Sequence, residues 1–207
     1  EQFDQMYEEF QKGNLEDTPI PTQDYRRIVT GRNHNYVKRP MLSVRFYGLN
    51  TRIRPLDNRS VRQALIYAID REALVEEVFL GRYIPARGIV PPGTQGFNPN
   101  LKGYPYDPQR ARELLVQAGY PGGRGLPTIS IWSSVKHEGI VREHEHLKRY
   151  LQAVGIQAEF HYLTEWPSFS KLLAGGKLPI FLYAWFADVP EPLAEVILHR
   201  TEHFDGT

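Results

Sequence analysis

The sequence predicts an α/β fold in which helices flank a mixed, mostly parallel β-sheet. Three apolar segments typical of buried strands occupy the second half of the chain: 128–132, 156–163 and 178–185. Helix-like segments alternate with them and lie near 138–153, 167–174 and 191–199. Alternation of this kind predicts parallel strands joined by right-handed crossovers. A further segment, 41–50, alternates apolar and polar residues and is predicted to be a half-buried strand.

Helices are also predicted in the first half of the chain. The first closes at Gly13 and carries an apolar face at helical spacing, formed by Phe3, Met6, Tyr7 and Phe10. Residues 23–30 predict a brief second helix. The candidate N-caps of a helix over 61–69 are four consecutive residues, Asp57, Asn58, Arg59 and Ser60. The predicted apolar face of that helix comprises Val61, Leu65, Ile66 and Ile69.

Asp70 is the predicted N-cap of the next helix, 71–81, which ends at a glycine. A segment rich in proline and glycine, 81–108, then leads to a helix over 108–119. A loop this long inside a compact domain usually either wraps a site or is disordered. Its aromatic residues favour wrapping, and they are Tyr83, Phe97, Tyr104 and Tyr106.

The composition disfavours several classes of protein. Lys and Arg number 25 and Asp and Glu number 24, so no basic excess supports binding to nucleic acid or to a membrane surface. The absence of cysteine excludes disulfides and thiolate metal sites. No apolar run is long enough to cross a bilayer, and the charged start of the chain does not resemble a signal peptide. Both ends look cut, so we expect a fragment; an exported protein would be present here as mature material or as a piece of it.

Candidate binding residues lie where the predicted parallel strands end. Ligands of open α/β sheets bind beyond the carboxyl ends of the strands. Trp166 follows one such strand, and Trp185 and Asp188 lie at the end of another. Together they would make a pocket for a cation with apolar side chains. Two other interpretations stay open, because Asp188 could cap the next helix and either tryptophan could be a packing residue.

Motifs for catalysis or for metal binding are lacking. His144 falls on the inner stripe of a helix without an HExxH pattern, so we interpret it as a hydrogen-bonded, half-buried histidine. His137, in the loop after the strand 128–132, is the better binding candidate because that loop faces the proposed site. Ser133, Ser134 and His137 are too close in sequence for a triad, and no GxSxG motif is present. We therefore predict no catalytic residue, no metal and no cofactor.

Several motifs follow one another along the chain in a fixed order. The longest is NRSVRQALIYAIDREALVEEVFLGRYIPARGIVPPG, and YPYDPQRARELLVQAGY, AVGIQAEF and TEWPSFSKLLAGGKLPIFLYAWFADVPEP follow it. Together they resemble the extracellular solute-binding proteins of family 5, the peptide, dipeptide and nickel receptors of ABC importers. FQKGNLEDTPIP is similar to the segment that closes the family's first lobe. The resemblance covers nearly the whole chain.

The resemblance implies one lobe of a two-lobed, venus-flytrap fold of the periplasmic-binding-protein type (type II). Residues 1–40 would be the tail of the first lobe, and 41–207 would be an incomplete second lobe that includes the connecting strand 41–50. The remainder of the first lobe would be missing. The implied partners are a small ligand such as a peptide, the permease subunits of an ABC importer and the missing first lobe, with no role for nucleic acid. The implied location is periplasmic or extracellular, with a lipid anchor as one option.

The resemblance also implies roles for single residues. The aspartate of the family's WxxD motif pairs with the α-amino group of a peptide, and Asp188 occupies that position. Trp185 is the motif tryptophan, and Trp166 matches the tryptophan that lines a side-chain pocket. His137 loosely matches a histidine that approaches longer ligands. Leu182 stands where some oligopeptide binders carry an arginine for the ligand carboxylate, which puts that contact in doubt here.

These observations predict a non-enzymatic receptor that binds peptides by their free amino group in a cleft between two lobes. The first alternative is a receptor of the same family for a nickel chelate, a sugar or an opine, with Asp188 in a structural role. The second is an α/β enzyme whose catalytic residues lie in the missing part. A third is that the isolated fragment binds nothing, because half of the cleft is absent.

Overall fold

The structure is a computed structural model that describes residues 2–21, 23–31, 36–37 and 41–186. The α-helices of this part of the chain are α1 (Gln2–Gln11), α2 (Tyr25–Thr30), α3 (Arg59–Tyr67), α4 (Arg71–Glu77), α5 (Pro108–Gln117), α6 (Glu138–Ala153) and α7 (Trp166–Ala174). The strands are β1 (Ser43–Leu49), β2 (Ile129–Ser133), β3 (Ala158–Tyr162) and β4 (Ile180–Phe186). A short 3-10 helix covers Pro121–Gly123. The helix predicted near 191–199 lies outside the described residues.

The predicted N-cap Asp70 is confirmed, and Asn58 is the one of the four candidate residues that caps α3. The side chain of Asn58 accepts a hydrogen bond of 2.8 Å from the backbone N–H of Ser60. The side chain of Asp70 accepts one of 3.0 Å from the backbone N–H of Ala73. Each cap satisfies a donor that the first turn of the helix leaves without an intrahelical partner. The starts of α3 and α4 are therefore set by local sequence.

Two details of these helices differ from the prediction. Helix α4 ends at Glu77, because Leu80 and Gly81 have positive φ angles of 54° and 74°, which a right-handed helix cannot contain. On α3 the predicted face included Ile66 and Ile69, which are only half-buried. The buried positions on that side are Val61, Ala64, Leu65 and Ala68, because α3 packs closely against α5 through small side chains.

The sheet has the order β1-β4-β2-β3 and confirms the predicted mixed, mostly parallel arrangement. Strand β2 runs parallel to both β3 and β4, whereas β1 runs antiparallel to β4. The β1–β4 ladder extends over both whole strands, from Ser43↔Phe186 to Leu49↔Ile180. The β2–β4 ladder has only two pairs, Ile131↔Ile180 and Trp132↔Phe181. Strand β4 is therefore held mainly by its antiparallel neighbour.

Helices cover both faces of this sheet. Leu147 of α6 packs with Tyr47 and Phe160, which places α6 on the face that carries these two side chains. Successive side chains of a strand point to opposite faces, so Leu182 and Tyr183 lie on different faces of β4. Leu182 pairs with Tyr47 and shares the α6 face, whereas Tyr183 contacts α7 on the other. Within the described ranges, no helix combines the length and the apolar character needed to span a lipid bilayer.

In the long loop before α5, aromatic rings pack on α3 and on the segment that follows α4. Tyr83 contacts Phe79 edge-on, with ring centroids 4.6 Å apart, and Tyr104 contacts Tyr67 in the same way at 5.4 Å. These contacts give the loop a fixed course. That it also wraps a ligand stays a prediction.

A buried histidine joins α6 to the sheet. His144 is 2% exposed, and its Nδ1 lies 2.8 Å from the hydroxyl of Tyr162 on β3. Its ring stacks on Phe160, with centroids 4.4 Å apart. Burial, and next the positive charge of Arg45, lower the pKa of His144 to about 4. The predicted hydrogen bond of His144 is thus confirmed, whereas the ring is more deeply buried than predicted; it is neutral at physiological pH.

The lowered pKa of His144 predicts a loss of stability in mild acid. Between pH 6.5 and about 4, the unfolded chain binds a proton at this ring that the folded chain excludes. The stabilising contribution is therefore fully present above pH 6.5 and falls by on the order of 3 kcal/mol as the pH approaches 4. We expect His144→Gln to flatten this part of the pH dependence, measured by urea denaturation at a series of pH values.

His137→Gln is the matched control, because His137 is an exposed histidine of the same helix region. It should keep the pH dependence of the unmodified protein. If the free energy of unfolding changed equally with pH in the unmodified protein and in His144→Gln between pH 4 and 6.5, the lowered pKa of His144 would be contradicted.

Candidate functional site

A cavity of about 220 Å³ lies at the edge of the sheet where β2 and β4 end. The residues that line it are Arg45, Ser134, Val135, Trp166, Leu182, Tyr183 and Ala184. They belong to β1, to the loop after β2, to the start of α7 and to β4. This strand-end cavity occupies the place predicted for a ligand, beyond the carboxyl ends of parallel strands.

The cavity forms because β2 and β4 separate early. Their ladder stops at Trp132↔Phe181, whereas β4 continues to Phe186 beside β1. At the end of β2 the hydroxyl of Ser133 donates a hydrogen bond of 2.7 Å to the carbonyl oxygen of Val135. The same hydroxyl accepts one of 3.2 Å from the backbone N–H of Val135. This local turn ends the strand and leaves a gap beside the last residues of β4.

Aromatic rings form one wall of the strand-end cavity. Trp166, the first residue of α7, is 51% exposed although it is a large apolar side chain. Its ring stacks on the fully buried Phe169, with centroids 5.9 Å apart, and lies 6.3 Å from the ring of Tyr183. Phe169 and Tyr183 thus hold the indole of Trp166 in position. Its remaining surface lines the cavity, which suits contact with an apolar ligand group.

A charged group, the guanidinium of Arg45, forms another part of the lining. Arg45 donates through Nη2 to Oε2 of Glu143 on α6, and the hydroxyl of Tyr47 donates to Oε1 of the same carboxylate at 2.9 Å. The side chain of Glu143 is 2% exposed and that of Arg45 is 22% exposed. The ion pair therefore runs from the packed interior between α6 and the sheet out to the cavity surface.

The charge state of this wall follows from burial and from Glu143. Burial opposes the charged form of Arg45, but the adjacent carboxylate outweighs it and raises the pKa of the guanidinium. Burial, and next the charge of Glu143, raise the pKa of Tyr47 well above its usual value. Arg45 is therefore a permanent cation and Tyr47 a neutral donor at physiological pH.

The structure places the predicted site residues at different positions. Trp166 lines the strand-end cavity, as described above. Trp185 lies opposite Val44 in the β1–β4 ladder, outside the cavity lining, and its Nε1 is buried without a hydrogen-bond partner among the described residues. His137 is exposed at the start of α6 and is also outside that lining. Asp188 lies outside the described residues.

Metal ligands were not predicted, and the described residues contain no group of three or more His, Cys, Asp or Glu side chains that could hold a metal ion.

Sequence reasoning missed Arg45 and Tyr183 as parts of the site. Alternation along β1 makes Arg45 look like a solvent-facing residue of a half-buried strand. One signal was available on α6, where Glu143 falls on the apolar stripe formed by Ile140, Leu147 and Leu151. A carboxylate at such a position needs a buried partner, and a cation on the facing strand is the simplest candidate.

Comparisons with known proteins agree with this architecture. A family model described as bacterial extracellular solute-binding proteins, family 5 Middle, matches residues 2–202. The glutathione-binding protein GsiB of Escherichia coli (strain K12) is 38% identical over 141 residues, which cover 68% of this chain and 27% of that protein. The chain thus spans about a quarter of the length of such relatives.

Two solved structures share the fold. HbpA2 from Haemophilus parasuis is similar with a TM-score of 0.80 and 27% identity, and the match covers 94% of this chain and 39% of that chain. The dipeptide binding protein from Pseudoalteromonas sp. SM9913, in complex with Met-Leu, is similar with a TM-score of 0.72 and 27% identity, over 93% of this chain and 38% of that chain. These likenesses confirm the predicted fold class. The family match over nearly the whole chain leads to one conclusion: this chain belongs to family 5 of the bacterial extracellular solute-binding proteins.

Proposed function

We propose that this chain is the second lobe of a two-lobed, non-enzymatic receptor that binds peptides outside the cytoplasm and presents them to the permease of an ABC importer. Residues 1–40 would be the tail of the first lobe, and residues 41–207 the second lobe. The observation that carries the proposal is the strand-end cavity, with the indole of Trp166 on one wall and the cation of Arg45 on another. A site with one aromatic and one charged wall suits a ligand that combines apolar groups with ionic ones.

The relatives support a peptide as the ligand. GsiB is named as a glutathione-binding protein, and the Pseudoalteromonas protein holds Met-Leu. Glutathione and a dipeptide share a free amine, a carboxylate and at least one amide. The proposed ligands therefore carry both an ammonium group and a carboxylate, separated by a few covalent bonds. The chain of this receptor would lie in the periplasm or outside the cell, where the family acts.

Within this proposal, Asp188 accepts hydrogen bonds from the free amine of the peptide. In the sequence it follows the last residue of β4 by two positions. Trp166 and Trp185 would wall the pockets for apolar side chains, and His137 would approach longer ligands. A charge-assisted hydrogen bond of this type contributes about 1.5–3 kcal/mol.

Asp188→Asn in the two-lobed receptor should weaken the binding of free peptides by about 10- to 100-fold, because it removes the charge that pairs with the amine. Binding of the same peptides after N-acetylation should change little, since they carry no ammonium group. Isothermal titration calorimetry with both forms measures the difference.

Asp57→Asn is the matched control for this experiment. Asp57 follows β1, which leaves the sheet at the edge opposite the cavity, and it pairs with Arg54 at 3.5 Å. The Asp57→Asn receptor should bind the free and the acetylated peptides with the same affinities as the unmodified receptor. Equal losses for both peptide forms in Asp188→Asn would mean that the aspartate has a structural role.

Trp166→Ala should weaken the binding of peptides with apolar side chains by about 1–2 kcal/mol, because it removes an aromatic wall of the cavity. The melting temperature should change much less than for a core substitution, since the ring is half exposed. Phe10→Ala is the control, because Phe10 is an aromatic residue of α1 that is also exposed, at 39%, but lies outside the cavity lining. Equal affinities for Trp166→Ala and for the unmodified receptor would exclude this wall from the binding site.

A further inference from the structure

We propose that Arg45 binds a carboxylate of the peptide ligand, so that the receptor recognises an acidic group with β1 as well as an amine with Asp188. This inference rests on the proposed function and adds a second ionic contact to it. The ligand carboxylate is either the C-terminus or an acidic side chain.

The register of the sheet places Arg45 at the cavity. Arg45 lies directly opposite Ala184 in the antiparallel β1–β4 ladder, and Leu182 is the next residue on the same face of β4. Both lie in the lining of the strand-end cavity together with Arg45. The guanidinium is thus flanked by apolar side chains, and it carries the only charge among the described residues that line this cavity.

The guanidinium keeps donors for a second partner. It has five N–H donors, and the ion pair with Glu143 uses Nη2. The ring of Phe79 lies 5.4 Å from Cζ and covers one side of the guanidinium. A ligand oxygen would therefore approach from the part of the side chain that remains exposed at the cavity. Two donors in a fixed fork match the two oxygens of a carboxylate.

The partners of Arg45 hold it in place before a ligand arrives. Glu143 is almost fully buried on α6, and Tyr47 donates to the oxygen that does not face Arg45. The carboxylate is thus fixed from two sides, which fixes the guanidinium in turn. A side chain that is already ordered loses less conformational entropy when it binds a ligand. Glu143 also offsets part of the positive charge, so the contact would depend on hydrogen-bond geometry more than on long-range attraction.

A purely structural Arg45 would behave differently from a ligand-binding one. If Arg45 only clamps β1 to α6, its removal should change the affinity for all peptides by one common factor. If it binds a carboxylate, its removal should abolish the preference for acids over amides. The comparison between ligands therefore separates the two roles.

The test measures the affinity of the two-lobed receptor for acidic ligands and for their neutral counterparts. Ala-Glu-Ala is compared with its C-terminal amide and with Ala-Gln-Ala, and glutathione is compared with its glycine amide. The unmodified receptor should bind at least one acid about 10- to 100-fold more tightly than its neutral counterpart. In the double variant Arg45→Gln/Glu143→Gln, which leaves no unpaired buried carboxylate, this preference should fall below about 3-fold. The amide and the glutamine peptides show which carboxylate is bound.

Arg45→Lys is the second variant, because it keeps a positive charge beside Glu143 but loses the paired N–H donors of the guanidinium. It should reduce the preference for acids over neutral ligands severalfold, and it provides a test if the double variant fails to fold. Arg110→Gln/Glu113→Gln removes an exposed ion pair of α5 and should leave the preference unchanged. An acid preference that survives in Arg45→Lys and in the folded double variant overturns the inference and leaves the proposed function intact. Equal affinities for acids and neutral peptides in the unmodified receptor also overturn the inference alone. If no peptide binds, the proposed function fails and the inference fails with it.

Discussion

The unequal pairing of β4 is the constraint on which the candidate site depends. This strand pairs along its whole length with β1 but only through its first two residues with β2. The antiparallel ladder carries β4 past the point where β2 has already turned into the loop before α6. Without that ladder the last residues of β4 would have no fixed position, and the strand-end cavity would have no floor. Strand β1, which joins the sheet from a distant part of the sequence, is therefore what makes the cavity possible.

The ion pair between Arg45 and Glu143 connects this cavity to the packing of the domain. Glu143 lies in a nearly dry environment, where an unpaired carboxylate is costly, and breaking such a pair from one side typically costs about 3–5 kcal/mol. Stability therefore keeps the guanidinium where it is, on the wall of the cavity. One residue can thus hold α6 on the sheet and remain available to a ligand. The same coupling explains why tests of its binding role need variants that remove both charges together.

The sequence predicted the order and type of the regular elements well, because caps, apolar stripes and strand–helix alternation are local signals. Asp70 marked the start of α4 to the residue, whereas Asn58 was one of four candidate caps before α3. The hydrogen-bonded state of His144 followed from its place on the apolar stripe of α6, although its burial is deeper than predicted. The predicted end of α4 was wrong, because nothing in the sequence indicates that Leu80 has a positive φ angle. Trp166 could be predicted from its place after a strand, whereas Arg45 could not, because its partner is 98 residues away and only the sheet register brings them together.

We propose that this chain is part of a peptide receptor. The alternative hypotheses are a receptor for a nickel chelate, a sugar or an opine, and an enzyme. A thermal-shift panel on the two-lobed receptor tests the difference most directly, with di-, tri- and pentapeptides and glutathione beside representatives of the other ligand classes. A peptide at 100 times its dissociation constant adds about 2.7 kcal/mol to the free energy of unfolding, so the melting temperature should rise by several degrees. A shift with peptides alone is the predicted result. No shift with any peptide, together with a clear shift with a sugar, an opine or a nickel chelate, would contradict the account.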